Sequence, residues 1–171
     1  MKMTNEKPLE ILVVEDHEEN RKAADAAFKE LGVKVDYAVN YNEAIEMLEN
    51  KIYAAAIVDL NFPRKAGAEP EKIGIELGKE LDVLKGKYRV PHVFLSGGYF
   101  HGNTPQSRIF IDEFIMAKKD HGESTSDKSN PQAWTEAYER ILKFCPEDSL
   151  KEIVAAKERC LKYTGKIYKQ E

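Results

Sequence analysis

The sequence predicts an α/β fold built on a doubly wound parallel sheet of five strands, with helices on both faces. Short, nearly continuous aliphatic runs are typical of parallel strands that are buried on both faces. These runs alternate with segments that place apolar residues at helical spacing, and this alternation favours right-handed crossovers. Ligands of such sheets bind at the carboxyl ends of the strands. Polar residues at those ends are therefore the first candidates for function.

The first three strands are predicted over residues 9–14, 33–39 and 53–60. A helix over residues 19–31 should end at Gly32, and the next helix should run from Asn42, as its N-cap, to residue 50. Residues 61–70 contain two prolines and a glycine, which predicts a loop before a third helix over residues 73–84.

Residues 90–95 and 109–117 are predicted as the fourth and fifth strands. The Gly-, Asn-, Pro- and Ser-containing stretch between them has no helical period, so the fourth helix should be reduced. A polar stretch over 118–131 follows, and we interpret 121–130 as a surface loop. Helices over 132–144 and 147–163 should close the chain. We therefore divide it into a tail (1–8), an α/β domain (9–145) and a C-terminal helical extension (146–171).

Composition narrows the function classes. The chain of 171 residues has a formal net charge of -4, which argues against electrostatic binding to nucleic acid. No apolar stretch is long enough to span a membrane, and the amino-terminal residues form no signal region, so we expect a cytoplasmic protein. Cys145 and Cys160 belong to no metal-binding motif and are expected to be buried or half-buried thiols.

Three acidic residues are expected at the carboxyl ends of adjacent strands: Glu15 and Asp16 after the first strand, and Asp59 in the third. Carboxylates brought this close repel one another unless a cation joins them, and their hard oxygen atoms favour Mg²⁺. The alternative is that each acid caps a helix, which explains Asp59 poorly because it follows an apolar run. His17 lies beside the acidic pair and is expected to face solvent.

Three segments resemble the leading motifs of the response-regulator receiver family: Ile-Leu-Val-Val-Glu-Asp at 11–16, Asp-Leu-Asn-Phe-Pro at 59–63 and Phe-Leu-Ser-Gly at 94–97. The resemblance implies a flavodoxin-like fold over roughly residues 9–145. It implies that Glu15, through water, Asp16, Asp59 and the carbonyl of Asn61 hold Mg²⁺. It also implies that Asp59 accepts a phosphoryl group.

Two further residues complete the predicted catalytic set. The hydroxyl of Ser96 could bind phosphoryl oxygens, although Ser96 could also be a simple turn residue. The family places Lys-Pro after the fifth strand, where this chain has Lys118 and Lys119 followed by an aspartate. We assign the site lysine to Lys118, with Lys119 as the alternative.

Three functions are compatible with these residues. The first is a stand-alone receiver that takes a phosphoryl group from a histidine kinase or phosphotransfer protein and acts by docking to a downstream protein or by forming a homodimer. The second is a pseudo-receiver that serves as a constitutive protein-interaction module, which the missing Lys-Pro would favour. The third is a phosphotransferase or phosphatase of another α/β family. It is the weakest because the sequence has no phosphate-binding glycine loop or nucleophile elbow.

Overall fold

The computed structural model describes residues 7–83, 90–96, 114–116 and 128–164. The elements are the strands β1 (Glu10–Val14), β2 (Lys34–Ala38), β3 (Ala55–Val58), β4 (Phe62–Pro63), β5 (Pro70–Glu71), β6 (His92–Ser96) and β7 (Phe114–Met116), and the helices α1 (Glu18–Leu31), α2 (Tyr41–Asn50), α3 (Gly74–Val83), α4 (Pro131–Phe144) and α5 (Glu147–Thr164).

The main sheet has the order β2-β1-β3-β6-β7, and each neighbouring pair is parallel. This arrangement confirms the predicted α/β class and its parallel sheet. Because β1 and β3 are direct neighbours, the residues that follow Val14 and Val58 emerge side by side at one edge. The sheet therefore brings the predicted acidic residues to a common place.

Alternation along the strands divides the core between the two faces of the sheet. Ile11 and Val13 of β1 pack on one face with residues of α1, α4 and α5, including Trp134. Leu12 and Val14 point to the other face, which α2 and α3 cover. Burial on both faces explains why the last four residues of β1, Ile11–Val14, are all aliphatic.

Two local predictions need correction. The N-cap of α2 is Asn40, not Asn42, since the Asn40 side chain accepts a 2.8 Å hydrogen bond from the backbone N–H of Glu43. Asn42 lies inside the first turn, where its backbone N–H donates to the carbonyl oxygen of Arg64. The predicted loop over 61–70 also contains structure, because β4 and β5 pair as a short antiparallel hairpin.

Other predictions fall outside the described part of the chain. The reduced fourth helix was expected between β6 and β7, and the surface loop was expected mainly before Lys128. The division into tail, domain and extension stays a prediction, although α5 does form within the proposed extension.

After the β4–β5 hairpin, Gly74 at the start of α3 packs closely against the backbone of Asp59 and Leu60. The backbone N–H of Gly74 donates to the carbonyl oxygen of Leu60 at 3.0 Å. A Cβ atom at Gly74 would lie 2.1 Å from the carbonyl oxygen of Asp59 and 2.6 Å from Cα of Leu60. Only glycine lets α3 begin directly against the backbone of the candidate acceptor residue.

We therefore predict that Gly74→Ala lowers the free energy of unfolding by about 3 kcal/mol, because backbone must move to accept the methyl group. The gain in helix propensity, about 1 kcal/mol, is too small to offset this. Chemical denaturation measures the change. Lys72→Ala, an exposed change in the same connection, should alter stability by no more than about 0.5 kcal/mol. Equal effects of the two substitutions would contradict the close packing.

Candidate functional site

Glu15 forms the floor of the site, and its side chain is fully buried. Its backbone N–H donates to the carbonyl oxygen of Ala38, which continues the β1–β2 ladder by one residue. Its carbonyl oxygen accepts a 3.1 Å hydrogen bond from the Arg21 guanidinium. The backbone at the end of β1 is therefore fixed from both sides, and the carboxylate is held in a defined position.

The two carboxylate oxygens of Glu15 have different partners. Oε1 accepts hydrogen bonds from the ammonium of Lys128 and from the Asn20 side chain. Oε2 accepts a 3.2 Å hydrogen bond from the backbone N–H of His17. Burial alone would raise the pKa of Glu15, but the Lys128 charge and the hydrogen bonds from Lys128 and from the backbone of His17 hold that pKa below its usual value. Glu15 is therefore an anion.

Asp59 lies at the end of β3 and is 8% exposed. Its backbone N–H donates to the carbonyl oxygen of Val14 at 3.1 Å, which ties it to β1. Oδ1 accepts hydrogen bonds from the backbone N–H groups of Leu60 at 2.7 Å and Asn61 at 3.4 Å. Oδ2 lies 2.9 Å from Nζ of Lys128. The carboxylate is thus oriented on both oxygens.

Burial raises the pKa of Asp59 to about 6, although Lys128 opposes the shift, and the Glu15 charge contributes to it. The same burial would lower the pKa of Lys128, but the two anions raise it above its usual value. Lys128 is therefore an ammonium that two buried carboxylates share.

Asp16 completes the acidic group with a side chain that is 15% exposed. Burial and the neighbouring Glu15 raise its pKa, with His17 acting in the opposite direction. Its Oδ1 atom is buried and has no hydrogen-bond partner among the described residues. Three carboxylates and one ammonium leave the site with a net charge of -2 when all are ionised. A buried acceptor without a donor and two uncompensated charges fit a divalent cation with oxygen ligands.

The structure therefore brings Glu15, Asp16 and Asp59 to one edge of the sheet, as the sequence led us to expect. Asn61, two residues after Asp59, is exposed. Ser96 ends β6, but its side chain lies outside the described part of the chain. Lys118 and Lys119 also lie outside it, so the assignment of the site lysine to Lys118 stays a prediction.

Lys128 is the residue that sequence reasoning missed. We placed it in a surface loop, yet it is only 4% exposed. Its carbonyl oxygen accepts a 2.8 Å hydrogen bond from the indole N–H of Trp134. The available signal was the sequence Lys-Ser-Asn-Pro immediately before an amphipathic helix: Asn130 caps α4 and Pro131 occupies its first turn. A lysine held so close to a helix start has a fixed position.

This carboxylate pocket at the carboxyl edge of a doubly wound sheet defines a receiver-type α/β domain. A family model described as "Response regulator receiver domain" matches residues 11–98. The chain belongs to this family. Receiver domains take part in two-component signalling and interact with histidine kinases or phosphotransfer proteins.

One curated relative is the hybrid signal transduction histidine kinase F of Dictyostelium discoideum, which is 36% identical over 107 residues. That match covers 62% of this chain and 9% of the relative, so the chain corresponds to a small part of that kinase.

Solved structures support the same fold. A CheY-like receiver domain from Methylobacillus flagellatus has a TM-score of 0.57 at 20% identity, covering 81% of this chain and 98% of the other. CheY4 of Vibrio cholerae has a TM-score of 0.57 at 18% identity, covering 80% and 100%. TrrA of Thermotoga maritima, solved with Mg²⁺ and BeF, has a TM-score of 0.52 at 23% identity, covering 67% and 91%. No helix within the described ranges could cross a membrane.

We predict that Lys128→Met destabilises the protein by about 3 to 5 kcal/mol, because it leaves Glu15 and Asp59 buried without their counter-charge. Chemical denaturation in the presence of a chelator measures this loss. Lys79→Met, at an exposed position of α3, is the control and should change stability by about 0.5 kcal/mol or less. Equal effects of the two substitutions would contradict the role of Lys128 as the shared counter-charge.

A second prediction concerns pH. A carboxyl group whose pKa is higher in the folded than in the unfolded state makes the protein less stable as the pH rises between the two values. For Asp59 this window runs from its ordinary value of 3.8 to about 6. Asp59→Asn should therefore stabilise the chelator-treated protein by about 1 to 3 kcal/mol above this window and by little near its lower end.

Urea denaturation near both ends of the window measures the difference between Asp59→Asn and the wild type. Asp148→Asn, at an exposed position in the first turn of α5, is the matched control and should show no such difference. A less stable Asp59→Asn protein at neutral pH would show that the ionised carboxylate is a net stabilising group.

Proposed function

We propose that this receiver domain accepts a phosphoryl group on Asp59 in a Mg²⁺-dependent reaction, with a histidine kinase or phosphotransfer protein as the donor. The observation that carries the proposal is the position of Lys128, whose ammonium lies 2.9 Å from Oδ2 of Asp59 and also binds Glu15. A buried cation beside a nucleophilic oxygen supports transfer of a group that brings negative charge.

Asp59 has the properties that the nucleophile requires. With a pKa of about 6, its carboxylate is mostly ionised at neutral pH. In the transfer, one Asp59 oxygen forms a bond to phosphorus while the bond from phosphorus to the donor's nitrogen or oxygen breaks. The backbone N–H groups of Leu60 and Asn61 hold the carboxylate during this step.

Lys128 would stay at the site throughout the reaction. Glu15 also accepts a hydrogen bond from the Lys128 ammonium, so that Lys128 is oriented before a substrate arrives. Preorganised charge of this kind stabilises the developing charge on phosphoryl oxygens without reorganisation. Ser96, at the end of β6, is the proposed hydroxyl donor to the same oxygens.

Mg²⁺ would be held by Asp16, Asp59, the carbonyl of Asn61 and, through water, Glu15. When bound, it neutralises phosphoryl charge and orients the donor. The Oδ1 atom of Asp16, which has no hydrogen-bond partner within the described ranges, supports this ligand set. TrrA has a similar fold and was solved with Mg²⁺ and BeF. The similarity supports the proposal through the fold alone, and the bound ions are a property of TrrA.

Output by docking to a downstream protein or by homodimer formation is also proposed. The net charge of -4 makes nucleic acid a poor direct target. A stand-alone role and a cytoplasmic location belong to the same proposal.

Incubation with acetyl phosphate and Mg²⁺ should add one phosphoryl group to the chain, and intact-mass analysis should detect it. Asp59→Asn should abolish the adduct because the amide cannot act as the nucleophile. Asp148→Asn should retain it. Lys128→Gln should lower the rate of adduct formation by about 10²-fold or more, which is the usual effect of removing one group that stabilises charge in the transition state.

The negative outcomes are equally specific. No adduct on a folded wild-type protein would favour the pseudo-receiver, in which the same surfaces bind a partner without phosphorylation. An adduct that persists in Asp59→Asn would place the acceptor on another residue. Rapid release of phosphate from p-nitrophenyl phosphate would instead indicate a phosphatase.

A further inference from the structure

His17 occupies the N-cap position of α1, but its side chain makes no capping hydrogen bond. Ser, Thr, Asp and Asn are the usual residues at this position because their side chains accept from the first turn. The helix therefore gains little from the His17 ring. The ring is turned toward the acidic pair, although 62% of the side chain remains exposed.

Two oxygens of the acidic pair lie close to Nδ1 of His17. Oδ1 of Asp16 is 3.1 Å away, and Oε2 of Glu15 makes a 3.4 Å hydrogen bond with Nδ1 in the tautomer that carries the proton on that nitrogen. Despite the short distance, Oδ1 of Asp16 is without a hydrogen-bond partner among the described residues, so the contact lacks hydrogen-bond geometry. The two atoms are therefore close enough to bind the same ion in the tautomer that leaves Nδ1 without a proton.

The spacing agrees with this arrangement. Adjacent ligands of an octahedral ion with bonds of about 2.1 Å lie about 3 Å apart. The contact of 3.1 Å between Nδ1 of His17 and Oδ1 of Asp16 is close to this value. One ligand atom from each of Glu15, Asp16 and His17 lies within 4.8 Å of the others.

His17 and Lys128 contact different oxygens of the Glu15 carboxylate. Oε1 of Glu15 binds Lys128 and Asn20, whereas Oε2 faces His17. An ion on the His17 side would therefore share Glu15 with Lys128 without displacing the ammonium. Because 62% of the His17 side chain is exposed, solvent can reach this side of the acidic pair and supply the water ligands that a divalent ion retains.

We propose that Nδ1 of His17 is a direct ligand of the divalent ion held by Glu15 and Asp16, and that it makes the site prefer first-row transition ions to Mg²⁺. Imidazole nitrogen suits ions such as Zn²⁺, whereas Mg²⁺ prefers oxygen alone. This inference rests on the ion site of the proposed function and is independent of phosphoryl transfer to Asp59.

The test uses the metals alone. Titration calorimetry of the full chain at one fixed pH compares Zn²⁺, Mn²⁺ and Mg²⁺. The wild type should bind one Zn²⁺ at least about tenfold more tightly than Mg²⁺. His17→Gln should lower Zn²⁺ affinity by about tenfold or more and leave Mg²⁺ affinity within about threefold, because only the nitrogen ligand is removed.

Pulsed electron paramagnetic resonance of bound Mn²⁺ gives a second readout. Nitrogen modulation from a coordinated imidazole should be present in the wild type, absent in His17→Gln and retained in His121→Gln. Asp16→Asn should weaken binding of all three ions and so verify that they occupy this site.

The outcomes separate the two proposals. Unchanged metal preference and no nitrogen modulation, together with ion binding that depends on Asp16, would overturn the role of His17 and leave an all-oxygen Mg²⁺ site intact. No binding of any ion to the folded wild type would overturn both the role of His17 and the metal site. Formation of a phosphoryl adduct on Asp59 is measured separately and depends on neither result for His17.

Discussion

The ion pairs of Lys128 with Glu15 and Asp59 are the interactions on which the site depends. Two carboxylates at the ends of neighbouring parallel strands cannot both remain ionised and buried without a counter-charge. Lys128 supplies that charge from a position 113 residues after Glu15. The sheet brings the acids together, and the start of α4 brings the cation that lets them stay ionised.

Much of the fold could be predicted because its cause is local in the sequence. Aliphatic runs indicate β1, β3 and β6 because these strands are buried on both faces. The acidic residues after β1 and β3 indicate the site because ligands of such sheets bind at the carboxyl ends of the strands. The cap of α2 was misplaced by two residues because Asn40 and Asn42 are both good caps. Only the structure shows that the Asn40 side chain accepts the hydrogen bond from the backbone N–H of Glu43. Short strands such as β4 and β5 have too few residues to show a period.

Lys128 could not be predicted in the same way, because its burial has a non-local cause. A lysine among serines, asparagines and aspartates resembles a solvated loop residue, and composition carries no sign of distant carboxylates. Its environment follows from two facts that become visible only in three dimensions. Trp134 binds its carbonyl oxygen, and the edge formed by β1 and β3 lies within reach of its ammonium. His17 is a related case, because its place beside the acids was evident but the direction of its ring was not.

The C-terminal helices contribute to the site through the position of this lysine. Trp134 and Tyr138 of α4 pack into the core on the α1 side of the sheet, where the Tyr138 and Phe28 rings make an edge contact at 6.0 Å. Leu150 of α5 is fully buried in the same cluster. Loss of that packing would loosen the start of α4, and the ammonium would lose its fixed place between two anions. The helices after the sheet are therefore part of what keeps Asp59 ionised, and this effect on the chemistry passes through Lys128.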